Sequence, residues 1–140
     1  MMTQLKKLTE RFEAKTRPAT TEAIHSLQAK LGFALAPDYI DFLSCFGVIV
    51  YGSIETYGLG VPETYYLHVL NSYADLSRDP QYPPQAVPLF EVGDGHYYLY
   101  DNAKQQAVLW ATPNGGIVKT IYGSLEPFLC REVFGTDSAG

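Results

Sequence analysis

Apolar positions recur at helical spacing in several stretches of the chain, and between those stretches they alternate or run continuously. Leu5, Leu8 and Phe12 fall at i, i+3 and i+7 with Lys, Glu and Arg between them, which predicts an amphipathic helix over Thr3 to Lys15. Pro18 then excludes helix at Arg17, and Thr20 or Thr21 offers an N-cap for a second helix running to Leu31. Its inward stripe is Ile24, Leu27 and Leu31, leaving His25 on the solvent side. Gly32 closes it in the left-handed conformation. Pro37 fits the first turn of a third helix, where a missing N–H costs nothing, and Asp38 meets the positive end of its dipole. Tyr39, Phe42, Leu43 and Phe46 form one continuous apolar stripe, and Gly47 ends that helix.

Strand patterns follow. Val48 to Ile54 is β-branched or aromatic at its start and reads as a strand, and Glu55 to Pro62 reads as a loop. Val61 to Leu76 fits either period. Ser77 to Pro88 holds Pro80, Pro83, Pro84 and Pro88 and is predicted to be a surface connection, either a recognition loop or a mobile one. The second half reads as antiparallel strands over Val87 to Val92, His96 to Tyr100, Ala107 to Ala111 and Ile117 to Tyr122. They are separated by turns at Gly93-Asp94-Gly95, Asp101-Asn102 and Pro113 to Gly116. Ser124 offers a cap for a final helix that buries Leu125, Phe128 and Leu129. The pattern predicts an α+β fold, an antiparallel sheet of about five to six strands with one face covered by helices at the N-terminus, after Pro37 and at the C-terminus. One domain is expected over residues 1–140, with its core in 20–134 and a frayed tail over 135–140.

Composition narrows the function. Charged residues are 18% and apolar ones 46%, so the chain is globular rather than disordered. The net charge of −5 argues against nucleic acid as a direct ligand and favours a basic partner. Cys45 and Cys130 have no metal-type spacing and are expected as reduced thiols. No apolar run is long enough for a membrane span, and the charged start is unlike a signal peptide, so the expected compartment is the cytoplasm.

Catalytic patterns are weak. His25, His68 and His96 form no HxH or HExxH set, so no metal or other cofactor is expected. Asp94, His96 and Asp101 bracket one hairpin, but the odd separation of His96 and Asp101 puts them on opposite faces of a regular strand, and turn formation accounts for the aspartates. The tyrosines carry more. Eight of them, from Tyr57 to Tyr100, crowd the middle of the chain. Alternation prevents Tyr97 and Tyr98 from both being core. Exposed tyrosine with scattered carboxylates is the composition of a protein-binding face.

Leu31-Gly32, Leu35-Ala36-Pro37-Asp38-Tyr39, Phe42-Leu43, Gly47 and Tyr57-Gly58-Leu59-Gly60 together resemble the signature of the SUKH superfamily, which includes bacterial immunity proteins and fungal regulators of cell-wall assembly. Gly93 to Asp101 resembles the next hairpin of that family, and the likeness runs from about Thr20 to Phe134. It implies a non-enzymatic protein that binds and neutralises a cognate toxin, often a nuclease, through steric occlusion or an allosteric clamp. Predicted exposure places the contacts at Tyr51, Glu55, Tyr57, Glu63, Tyr65, Asp94, Tyr98 and Asp101. Two other readings stay open: a regulatory scaffold, and a small-molecule binder or hydrolase with a pocket of Tyr57, His68 and His96. A homodimer fits the same surface.

Overall fold

The computed structural model describes residues 1–136. The predicted fraying at 137–140 lies outside the described residues. The N–H groups of Gly135 and Thr136 donate to Arg131 O at 2.9 Å and Cys130 O at 3.3 Å.

Five helices form: α1 (Thr3–Arg11), α2 (Thr21–Leu31), α3 (Pro37–Cys45), α4 (Val69–Leu76) and α5 (Leu125–Phe134). The ambiguous segment resolves as helix α4, begun by His68, whose Nδ1 accepts from Leu70 N–H at 3.3 Å. α1 stops at Arg11 rather than Lys15, because Glu13 turns at a φ of +54° and Lys15 enters a strand. Thr20 caps α2 as expected, accepting from Ala23 N–H at 3.1 Å. Ser124, in contrast, makes no side-chain cap on α5. Asp38 of α3 takes that place, accepting from Leu125 N–H at 3.2 Å, and Glu126 of α5 accepts from Leu5 N–H at 3.1 Å. Each carboxylate satisfies an orphan donor at the positive end of a helix dipole. The three helices are thereby tied end to end.

The strands form two antiparallel sheets rather than one. The first has order β1-β2-β3, from β1 (Lys15–Thr16), β2 (Ile49–Tyr51) and β3 (Ile54–Glu55). The second has order β4-β5-β6-β7, from β4 (Ala86–Gly93), β5 (His96–Asp101), β6 (Gln106–Ala111) and β7 (Gly116–Ile121). The predicted single strand over Val48 to Ile54 folds back on itself, pairing Tyr51 with Ile54 across a two-residue turn. Gly52, at a φ of +60°, makes that turn possible.

Both faces of the second sheet are covered, not one. Tyr98 and Tyr100 look toward the helices, Tyr98 meeting the ring of Phe128 at 4.9 Å and Tyr100 stacking on Tyr39 at 6.1 Å. Leu99, Val108 and Trp110 build a second cluster on the other face with Leu76 and Ala86. The proline-rich connection closes over it. Trp110 Nε1–H donates to Gln81 O at 3.1 Å, and Tyr82 packs edge-on against the indole at 5.3 Å. Asp79 clamps the segment to the next turn, accepting from Thr112 Oγ1–H at 3.1 Å and Asn114 N–H at 3.0 Å. Pro88 sits in β4 itself, which an edge strand tolerates.

The glycine motif marks a backbone crossing. A Cβ on Gly58 would lie 1.7 Å from the carbonyl oxygen of Gly47, and one on Gly47 or Gly60 would lie 1.7 or 1.8 Å from that of Arg17. Only hydrogen fits there. This crossing fixes where β3 leaves the first sheet and runs toward the second.

Candidate functional site

The two sheets meet edge to edge. Beyond β3 the chain reaches β4 once, where Tyr57 N–H donates to Leu89 O at 2.8 Å. Ser53, Ile54 and Glu55 form one wall of the gap and Phe90 to Gly93 the other, enclosing a groove of about 530 Å³ whose base includes Leu67. β4 carries a bulge between Glu91 and Gly93, and a bulge bends its strand and raises the local twist.

The walls are acidic and aromatic. Glu55, Glu91 and Glu132 line the groove beside Tyr57 and Tyr66, with no Lys, Arg or His among the lining residues. A hollow of about 240 Å³ shares Tyr57 and Tyr66 and adds Asp75 and Tyr97. Lys15 and Arg17 lie in a different depression, which shares Glu55 and Leu67 with the groove. The phenols register the negative field. Tyr57 is pushed up to about 12, first by burial and then by Tyr97 and the carboxylates Glu91, Glu55 and Asp75. Tyr66 donates a hydrogen bond to Glu55, which raises its pKa, as does its hydrogen bond to Tyr65. Tyr98 is raised by burial and then by Glu132.

A family model described as SUKH_5, SMI1-KNR4 cell-wall, matches residues 1–134. The chain belongs to this SUKH family. A solved structure, the crystal structure of a protein from Pseudomonas syringae pv. tomato, superposes with a TM-score of 0.74 at 16% identity, covering 91% of this chain and 96% of that one. That likeness is one of fold. No curated protein matches the sequence.

Within this SUKH fold the expected contact residues scatter. Glu55 and Tyr57 line the groove, and Tyr65 meets Tyr66 at a tilt with ring centroids 4.7 Å apart. Tyr98 lies just inside it, against Phe90 and Phe128. Tyr51 packs instead between Phe12 and Phe134, at 5.6 and 5.0 Å. Glu63 points away from the groove into an ion pair with Lys30 at 2.7 Å. Asp94 is exposed at the tip of the β4–β5 turn with a φ of +53°. Asp101 is only 7% exposed, its carboxylate accepting from Ala103 and Lys104 N–H at 2.9 and 3.1 Å and holding the β5–β6 turn away from the groove. It lines a separate depression with Tyr82 and Lys104.

The residues that complete the groove escaped the sequence reading. Glu132 extends the apolar stripe Leu125, Phe128, Leu129 by one more position, where a charge is out of place. Glu91 likewise interrupts the apolar run that begins at Ala86. Each was a visible anomaly. The expected pocket of Tyr57, His68 and His96 does not form: His68 lines a separate hollow with Lys30 and Glu63, and His96 sits at the hairpin turn. Cys45 and Cys130 form no disulfide among the described residues. Among the described residues no group of three or more His, Cys, Asp or Glu can hold a metal ion, and no helix is long and apolar enough to cross a membrane. What the groove offers chemically is carboxylate and ring face, the surroundings that a lysine or arginine side chain prefers.

Proposed function

We propose that this SUKH protein is a non-enzymatic immunity protein of the cytoplasm that neutralises a cognate, basic toxin, a nuclease being the natural class, by forming a complex with it. The observation that carries the reading is the groove between the sheets, where three glutamates and two tyrosines stand together with no cation. A surface that acts on nucleic acid carries clustered Lys and Arg, and an acidic inhibitor complements it, steers the encounter and excludes the substrate. No direct contact with nucleic acid or membrane is required.

Co-expression tests it. The gene beside this one is induced alone and then together with this protein, and growth is followed. Killing that this protein relieves supports the reading, and killing that it leaves unchanged overturns it. The family description, with its reference to the cell wall, favours a regulatory scaffold as the second reading. A pull-down distinguishes the two, a scaffold yielding several partners and an immunity protein one stoichiometric partner.

A further inference from the structure

The groove is bounded by backbone as well as by side chains. β3 is the outer strand of its sheet and pairs only with β2, and β4 is the outer strand of the other and pairs only with β5. Tyr57 N–H to Leu89 O links the chain beyond β3 to β4, but β3 and β4 are not neighbours in either sheet. Two outer strands of different sheets therefore face one gap, and neither is a ladder partner of the other. Unpaired edges are templates for another strand.

The side chains select the occupant. Val92 is 48% exposed and Tyr66 55%, so an entering chain finds apolar area to cover. Glu55, Glu91 and Glu132 repel a second copy of this chain, whose own net charge is −5. The same charges attract a cationic segment. Extended backbone sends alternate side chains to opposite sides, so Lys or Arg at every second position faces Glu91 on the Tyr97 side of β4 while the intervening residues cover Val92, and Glu132, on the Tyr98 side, adds to the attracting field.

We propose that the groove receives an extended, basic segment of the partner protein as an added strand on the free edge of β4, extending the four-stranded sheet toward β3. Recognition then comes from backbone pairing plus neutralisation of Glu55, Glu91 and Glu132, as in other cases of strand addition. This rests on the protein-binding reading above and names the chemistry of the bound segment.

The test uses the full chain and a ten-residue synthetic peptide alternating Lys with Val or Thr, beside the same peptide N-methylated at alternate amides. Affinity is read by calorimetry, and amide exchange at Phe90 to Gly93 by NMR. We expect saturable binding, exchange at those amides slowed at least tenfold, and at least tenfold weaker binding of the methylated peptide. Glu91→Gln and Glu132→Gln, checked for native Trp110 emission, should each weaken binding severalfold, and Glu91→Lys more. Equal binding of the two peptides, protection elsewhere, or no binding at millimolar peptide would overturn the proposal, as would self-association through this edge in sedimentation.

Growth rescue separates the two levels. If the wild-type protein protects against its neighbour and Glu91→Lys with Glu132→Lys protects equally, strand addition fails while the immunity reading stands. If the wild type itself does not protect, the immunity reading fails, and the peptide measurements alone decide the groove.

Discussion

Gly58→Ala is the substitution that best isolates what holds the two sheets in place. The added Cβ would stand 1.7 Å from the Gly47 carbonyl oxygen, against an ordinary carbon–oxygen contact of about 3.3 Å. One strand must therefore retreat by about 1.5 Å. That displacement threatens three backbone bonds, Gly58 N–H to Leu67 O at 2.9 Å, Val69 N–H to Gly58 O at 2.9 Å and Leu59 N–H to Gly47 O at 3.1 Å. Gly58 is not among the positive-φ residues, so the cost is steric and not conformational. Overpacking costs about 1–3 kcal/mol and each of the three weakened hydrogen bonds about 1 more, giving roughly 4–6 kcal/mol in a fold whose whole stability is about 5–15. Gly32→Ala is the control. Its φ is +81° but open space surrounds the added methyl, so only the left-handed penalty applies, about 1–2 kcal/mol. Urea unfolding followed by the emission of Trp110, the single and fully buried tryptophan, reads both. With a slope of about 1.5 kcal/mol per molar urea, the Gly58 variant should lose about 3–4 M in midpoint. If Gly58→Ala costs no more than Gly32→Ala, the crossing does not constrain the fold and the reasoning is wrong.

Three further measurements probe other parts. Tyr39 is fully buried, and its hydroxyl has no hydrogen-bond partner among the described residues, so Tyr39→Phe should stabilise by about 1 kcal/mol and raise Tm; a loss of stability would mean that the hydroxyl is satisfied. Asp38→Ala removes the carboxylate at the start of α5 and should cost about 1–2 kcal/mol in urea unfolding, while Asp41→Ala, a carboxylate of the same helix with no such bond, should stay within about 0.5; equal losses would deny the cap its role. Tyr57 and Tyr100 are both held up to about 12, first by burial, against about 10 in the unfolded chain. The folded state thus holds these protons more tightly. Their contribution is complete below pH 10 and lost as pH rises toward 12, so the urea midpoint should be level across neutral pH and fall above about 10, in step with phenolate absorbance; an unchanged midpoint at pH 11 would contradict this.

The helical stripes were legible because each repeats over two turns or more, and the glycine punctuation was legible because its spacing is regular. β1 was not, since Lys15 and Thr16 become a strand only by pairing with Val50 and Ile49, far along the chain. The caps of α1 and α5 were hidden for the same reason: their carboxylates come from 121 and 87 residues away, and Ser124 offered a plausible local substitute. The bonds from Ala103 and Lys104 to Asp101 were not legible either, since an aspartate ending a strand looks the same in sequence whether its carboxylate faces solvent or folds back onto the turn. The groove depends on which two sheet edges adjoin, and no local pattern encodes that. Only Glu91 and Glu132, charges at apolar positions, left a trace of it.

The caps also set an order of events. α1 is synthesised before every other described element, yet the group that completes its first turn belongs to α5, and α5 waits in turn on Asp38. A loop spanning most of the described chain must close before either helix end is satisfied, and such closure is slow relative to local turns. A chain still leaving the ribosome therefore holds its first helix half-made. Anything that delays arrival of Glu126 prolongs a state in which Leu5, Leu8 and Phe128 are open to solvent and to the chaperones that read them.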